Sequence, residues 1–422
     1  MIKLAGINNS GKLVIMFCRK ALKLVQEAMS DTPVVCVLGP RQSGKSTLVQ
    51  MVDSKREYIS FDSKTVRETA MQDPEGFILS LPARVTLDEV QRVPEIFTEI
   101  KASVDEDRSP GRFLLTGSSN LRLLPAIQDS LAGRMEVIQL LPLTEAEKQN
   151  SQYNFVDKLL NNQYTAETVG DRKQIMGLAK AVCFGGYPEP CLRSEKRAWR
   201  WHREYLKAII ERDVKDIAKI YDATNMMRLT ELTALRTSST LNINNLSMDL
   251  GIARKTVETY LQILERLFLI RRLPAWHSNR GKRLIKAPKI HMLDSGLACA
   301  LNRFSEKNWL DYSNRFGGVL ESFAIQQIIC LAQWYDPDLQ FSHYRDKDKN
   351  EVDLVIERGL DTWGVEIKKS VSLQNADYKG LAKLAEQCTG NWKGGVILYS
   401  GKNTVGLPVK NCLAVPFDNL WK

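Results

Sequence analysis

No C-x-x-C pair occurs among the eight cysteines (Cys18, Cys36, Cys183, Cys191, Cys299, Cys330, Cys388 and Cys412), so a structural zinc site is not expected. Several of these cysteines lie in apolar runs, where a reduced, buried thiol is the ordinary state. No apolar run approaches the roughly 20 residues that a membrane helix needs. The N-terminus lacks the long apolar core and small-residue cleavage site of a signal peptide. There is no low-complexity tract and no internal repeat. These absences leave a folded protein without a membrane partner, and a reducing cytoplasm is its expected setting.

What is present is length and positive charge. At 422 residues the chain calls for two or three domains. Its net charge of +10 points to an anionic partner. That charge is local: residues 193–290 hold 21 Lys and Arg against 10 Asp and Glu, a surplus that leaves the rest near neutral.

The first third alternates strand-like and helix-like stretches. Residues 33–38 (PVVCVL), 58–61 (YISF), 84–87 (RVTL), 112–116 (RFLLT) and 136–140 (EVIQL) read as strands. Such alternation predicts an α/β fold with a parallel sheet. The first strand runs straight into Gly39-Pro40-Arg41-Gln42-Ser43-Gly44-Lys45-Ser46, a full match to G-x-x-x-x-G-K-[ST]. Glycines let backbone amides turn around phosphate oxygens. Lys45 reaches the outer phosphates, and the Ser46 hydroxyl ligates Mg²⁺. With Thr47 in the first turn of the following helix, these residues form the expected site for ATP and Mg²⁺.

Two carboxylates end the third strand. Asp88 is expected to hold Mg²⁺ and Glu89 to act as general base on the attacking water. The next strand ends in Thr116-Gly-Ser118-Ser119-Asn120, where Ser118 or Ser119 would orient that water. Arg134 lies next to the fifth strand. It is either a transition-state arginine, in its own subunit or in a neighbour of a homo-oligomer, or a surface residue.

Together, GPRQSGKST, LDEVQ, LLTGSSN, LAGR and Leu141-Pro-Leu-Thr-Glu145 resemble the prokaryotic AAA+ ATPases that carry an uncharacterised C-terminal region. Gly185-Gly-Tyr-Pro188-Glu189 resembles the Gly-x-Pro element of signalling-type ATPases, which lies near the nucleotide. The resemblance implies an ATP-hydrolysing P-loop domain at 1–150 and a helical lid or linker at 175–238.

Residues 239–290 have helix-turn-helix spacing. A first helix (245–250) reaches a turn at Gly251, and a second carries Val257, Leu261 and Leu264 inward. Arg254, Lys255, Thr256 and Tyr260 are then expected on its exposed start and outer face, to contact DNA. The basic Arg280, Lys282 and Arg283 are read as a wing touching phosphates. The alternative is a lid or protein-contact module of the same shape.

Residues 316–422 return to mixed α/β character. Glu321, Asp353 and Glu366, with Lys368 on the same face as Glu366, resemble the PD-(D/E)xK nuclease superfamily, although Val352 stands where that family has Pro. The resemblance implies that three carboxylates hold Mg²⁺ and that Lys368 assists cleavage. His343, Tyr344 and Arg345 would contact the substrate backbone. Two readings stay open: an ATP-driven DNA-processing enzyme, or a nucleotide switch that binds protein or DNA through an inactive nuclease-like core.

Overall fold

The computed structural model describes residues 4–7, 13–118, 131–164, 173–217, 222–283, 286–309 and 313–422. They form two compact units. One is residues 18–143 with 265–268, and the other is residues 1–17, 144–264 and 269–422.

The smaller unit is built on five parallel strands: β3 (Val34–Leu38), β4 (Glu57–Ser60), β5 (Val85–Asp88), β6 (Phe113–Gly117) and β7 (Met135–Gln139). Their spatial order is β4-β5-β6-β3-β7. Strand β3 lies between β6 and β7, and all five of its residues have no exposed surface. Its unbroken apolar, β-branched run suits a strand covered on both faces. The order places β6 between the strand that leads into residues 39–46 and the strand that ends in Asp88. Polar groups at the end of β6 therefore face both. All five strands lie within about a residue of the positions expected from the sequence.

In the larger unit, β1 (Leu4–Ile7) and β2 (Leu13–Met16) make a two-stranded ribbon. Helices follow at Lys173–Phe184, Glu195–Ile217 and Ala223–Leu235. Then comes a strand-helix-helix-strand-strand series. It comprises β8 (Ser239–Thr240), helices Ile243–Leu250 and Arg254–Arg266, β9 (Ile270–Leu273) and β10 (Lys289–Met292). The three strands form one sheet in the order β8-β10-β9, with both pairings antiparallel. Asn242 caps the first of these helices, and Gly251, at φ 67°, ends it in the left-handed conformation that glycine accepts without strain.

The C-terminal sheet has six strands: β11 (Gln340–Arg345), β12 (Glu351–Arg358), β13 (Asp361–Lys368), β14 (Trp392–Tyr399), β15 (Val405–Gly406) and β16 (Cys412–Pro416), ordered β11-β12-β13-β14-β16-β15. Strands β11 to β13 meander, whereas β13, β14 and β16 run parallel. Helix Lys379–Cys388 packs Leu381, Leu384 and Cys388 against Val352, Val355 and Ile397. Trp276, from the segment between β9 and β10, is part of this same core.

Candidate functional site

Residues 39–46 bend through two left-handed positions, Gln42 at φ 60° and Gly44 at φ 95°. Turns of this kind converge backbone amides on an anion. Gly39 admits no side chain, because a Cβ there would lie 2.1 Å from the backbone oxygen of Leu140. Helix Lys45–Val52 starts directly from the loop and adds its positive end. Lys45 is buried and donates to the carbonyls of Gly39 and Pro40 at 3.0 Å, so its ammonium lies folded along the loop. Ser43 Oγ is fully buried and has no hydrogen-bond partner among the described residues. An orphaned donor inside a ring of loop amides fits a phosphate oxygen. Arg41, Gln42 and Thr47 lie in the same loop and first turn.

The carboxylates stand across from this loop. Ser46 Oγ donates to Asp88 Oδ1 at 3.1 Å, bringing together the two side chains expected to hold Mg²⁺. Ser60 Oγ donates to the other oxygen at 3.3 Å. Tyr58 sits beside them, and burial together with its hydrogen bond to Asp88 holds its phenol well above the usual range. Glu89 follows in a left-handed conformation, φ 60°, which for a non-glycine residue costs about 1–3 kcal/mol. Three bonds hold it there. Its N–H donates to Thr116 Oγ1 at 3.1 Å, Ser118 Oγ donates to its carboxylate at 2.8 Å, and Gln91 donates to the same oxygen. Gln91 also bonds Ser118 Oγ at 2.8 Å, which closes a triangle around the Glu89 carboxylate.

Sequence reasoning missed three residues here. Thr116 donates to Asp88 while accepting from the Glu89 amide, so it ties both acids to β6. Gln91 has only its place in LDEVQ to recommend it. Arg19 lies far upstream and is buried; it donates to the carbonyls of Ser43 and Leu141 at 2.7 Å and pins the loop from behind. No local signal marks such a residue. Ser118 stands where it was expected, whereas Ser119 and Asn120 lie outside the described residues.

Arg134 is not brought to this site in its own chain. It precedes the first residue of β7, and the phosphate loop follows the last residue of the neighbouring parallel β3, so the two lie at opposite ends of these strands. Its guanidinium is held by both oxygens of Asp105, at 2.6 and 3.0 Å. Gly185–Glu189 belongs to the larger unit. There Gly186 donates to Asp294 at 2.6 Å, and Lys148 donates to the Gly185 carbonyl.

In the helix-turn-helix segment, Arg254 and Lys255 are exposed and Thr256 is half-buried, at the start of helix Arg254–Arg266. Tyr260 corrects the expectation. It is only 6% exposed and packs inward with Val257, Leu261 and Leu264, because positions 257, 260, 261 and 264 share one helical face. The wing reading changes as well. Arg283 clasps both oxygens of Glu357 at 2.6 and 2.9 Å and lies 5.3 Å over the Trp276 ring, so its fork is already engaged. The side chains of Arg280 and Lys282 lie outside those described. The segment is bound to the C-terminal sheet through Trp276 N–H to His343 O at 2.6 Å and His343 N–H to Pro274 O at 2.9 Å. His343 and Tyr344 are therefore buried structural residues.

The acidic residues of the C-terminal sheet converge, but they do so around ammonium groups. Asp353 and Glu366 are cross-strand neighbours. Asp353 N–H donates to Glu366 at 3.3 Å, and Ile367 N–H donates to Asp353 Oδ2 at 2.9 Å. Lys368 pairs with Glu366 at 2.8 Å, as their shared face predicts. Lys289, from β10, reaches Glu321 at 2.7 Å and Asp353 at 3.1 Å, and it also contacts Glu351. Among the described residues, no three His, Cys, Asp or Glu side chains are gathered as ligands of a metal ion. Glu321, Asp353 and Glu366 thus lie in an ion-pair cluster with Lys289 and Lys368, and Lys289 is the residue that sequence reading missed.

Three family models match the chain in succession. Residues 31–148 match an AAA domain, residues 176–308 a domain of unknown function (DUF8612), and residues 316–420 a second one (DUF4143). Uncharacterized proteins of Mycobacterium bovis and Mycobacterium tuberculosis are each 29% identical over 411 residues, covering 95% of this chain and 84% of theirs. The Walker-type ATPase PABY2304 of Pyrococcus abyssi is 14% identical with a TM-score of 0.43, covering 71% of this chain and 98% of that one. The N-terminal part of the chain is an ATPase-like AAA domain. Among the described residues, no helix is long and apolar enough to cross a membrane.

Proposed function

We propose that this chain hydrolyses ATP with Mg²⁺ at residues 39–47 and uses the cycle to control binding of DNA at the start of helix Arg254–Arg266. One observation carries the hydrolytic reading: the Glu89 carboxylate is fixed by Ser118 and Gln91 beside Asp88, itself bonded to Ser46. Ser46 and Asp88 would hold Mg²⁺, which supplies charge neutralisation at the phosphates. Loop amides, Ser43 and Lys45 bind phosphate oxygens. Glu89 accepts the proton of the attacking water, and Ser118 orients that water. In its own chain Arg134 takes no part, its guanidinium being held by Asp105.

DNA is the favoured partner because Arg254 and Lys255 are exposed at a helix start within the basic stretch. Binding without cutting is favoured over cleavage, since Lys289 and Lys368 already pair with the acidic cluster. The test is an ATPase assay with and without single-stranded, duplex and branched DNA, run beside a cleavage readout. Lys45→Ala is expected to lose ATP binding. Glu89→Gln is expected to keep binding and lose turnover by about 10²-fold or more. Wild-type turnover in Glu89→Gln would remove Glu89 from the role of base. Turnover and DNA affinity unaffected by every DNA form would leave a protein as the partner.

A further inference from the structure

Lys289 is a charged residue in an unusual place. It is 1% exposed, on a strand, with its ammonium among Glu321, Asp353 and Glu351. An unpaired ammonium could not be buried there, and three carboxylates around one point could not stay ionised without a cation. Asp353 is the hub. One oxygen takes Lys289, and the other takes the Ile367 amide. Both Glu366 oxygens are likewise taken, by Lys368 and the Asp353 amide. The carboxylates line a cavity of about 400 Å³ that is open to solvent past Lys349 and Lys379. Lys289 does not line this cavity; its ammonium takes the position between Glu321 and Asp353 at the cavity's wall.

We propose that Lys289 is a resident cation that takes the place a divalent metal would occupy between Glu321 and Asp353, so that insertion of Lys289 and metal binding exclude one another. The reading rests on the nuclease-like placement of Asp353, Glu366 and Lys368 and is independent of the ATPase. Lys289 is the first residue of β10, which pairs with β8 and β9 of the sheet beside helix Arg254–Arg266. The plug is thus part of the proposed DNA-binding module.

The experiment is Mn²⁺ titration of the full-length, nucleotide-free chain, followed by electron paramagnetic resonance. The wild type is expected to show no Mn²⁺ site that Asp353→Asn removes. Lys289→Met, which keeps the apolar stem and loses the charge, is expected to gain one Mn²⁺ per chain, lost again when combined with Asp353→Asn. Lys289→Gln serves as the second variant should Lys289→Met fail to fold, with a cooperative thermal melt as the criterion. An Asp353-dependent Mn²⁺ site in the wild type would overturn the proposal through the wild-type arm alone. A folded Lys289 variant that gains no Mn²⁺ would overturn it equally. Lys45→Ala and Glu89→Gln turnover stays unaffected by either result, so failure here is distinct from failure of the ATPase reading.

Discussion

Glu89 is held by Ser118, Gln91 and Thr116 in a backbone conformation that non-glycine residues seldom adopt. The strain is offset only because these contacts over-determine the position. The proposed function separates two jobs: Lys45 and Ser43 would bind phosphate, while Gln91 would act through the base. Gln91 is a positioning residue by this geometry. Gln91→Ala is expected to lower kcat by about tenfold and to leave nucleotide affinity within about twofold, read by single-turnover hydrolysis beside equilibrium binding. Equal loss in both quantities would assign Gln91 to the general integrity of the loop. Gly39 makes the contrasting prediction. Gly39→Ala meets the Leu140 backbone oxygen, which cannot move aside as a side chain would, so nucleotide binding is expected to be lost along with stability.

At the scale of elements, the segment between β9 and β10 departs furthest from its sequence reading. Its basic composition suits a phosphate-touching wing, yet Trp276 is buried, donates to Glu357 at 3.0 Å and meets Tyr344 edge-on at 5.9 Å. A tryptophan in the core and an arginine clasping a glutamate fix the segment to β11 and β12. His343 belongs to this junction. Burial, with the nearby Lys289 charge, pulls its imidazole down to about 4, whereas an unfolded histidine titrates near 6.5. A depressed folded value means that the neutral form is the one the fold accommodates. The stability contributed is therefore complete above about 6.5 and is lost as the pH falls towards 4. Thermal melts between pH 7 and 4 are expected to show this loss, and His343→Gln is expected to flatten the slope over that window. An unchanged slope in the variant would assign the acid sensitivity elsewhere, with His291, also held far below its usual value by burial, as the next residue to replace.

At the scale of the molecule, residues 175–238, 316–422 and, apart from 265–268, 239–290 fall within one compact unit. The physical reason lies in shared cores and buried bonds. Trp276 sits in the core of the C-terminal sheet, Thr237 bonds Ser322 at 2.7 Å, and Lys289 joins β10 to Glu321 and Asp353. Trp276→Ala is accordingly expected to cost about 3–5 kcal/mol and to destabilise the DNA-binding candidate and the C-terminal sheet together. Hydrogen exchange should show protection falling in both regions. Loss confined to the 274–288 segment would mean that the two behave as separable bodies.

The sequence by itself marked the candidate nucleotide site. A phosphate-binding loop, a strand ending in two acids and a strand ending in Ser118 are local patterns, because each catalytic group sits next to the strand that carries it. The same local logic located the five strands of the smaller unit, since period and turn residues are written in consecutive positions, but it gave no strand at β10. Tertiary structure alone decided which groups distant in sequence meet. Arg19 against the loop, Gln91 against Ser118, Arg283 against Glu357 and Lys289 against Asp353 are separated by 24, 27, 74 and 64 residues respectively. A lysine in a basic stretch looks like every other lysine there. Only the pairing of β10 with its neighbours and the packing of helix Ser313–Gln333 bring this one into the acidic cluster. The loop at Gly39 was legible because its chemistry is contiguous. The state of the C-terminal site was not, because its deciding charge arrives from another element.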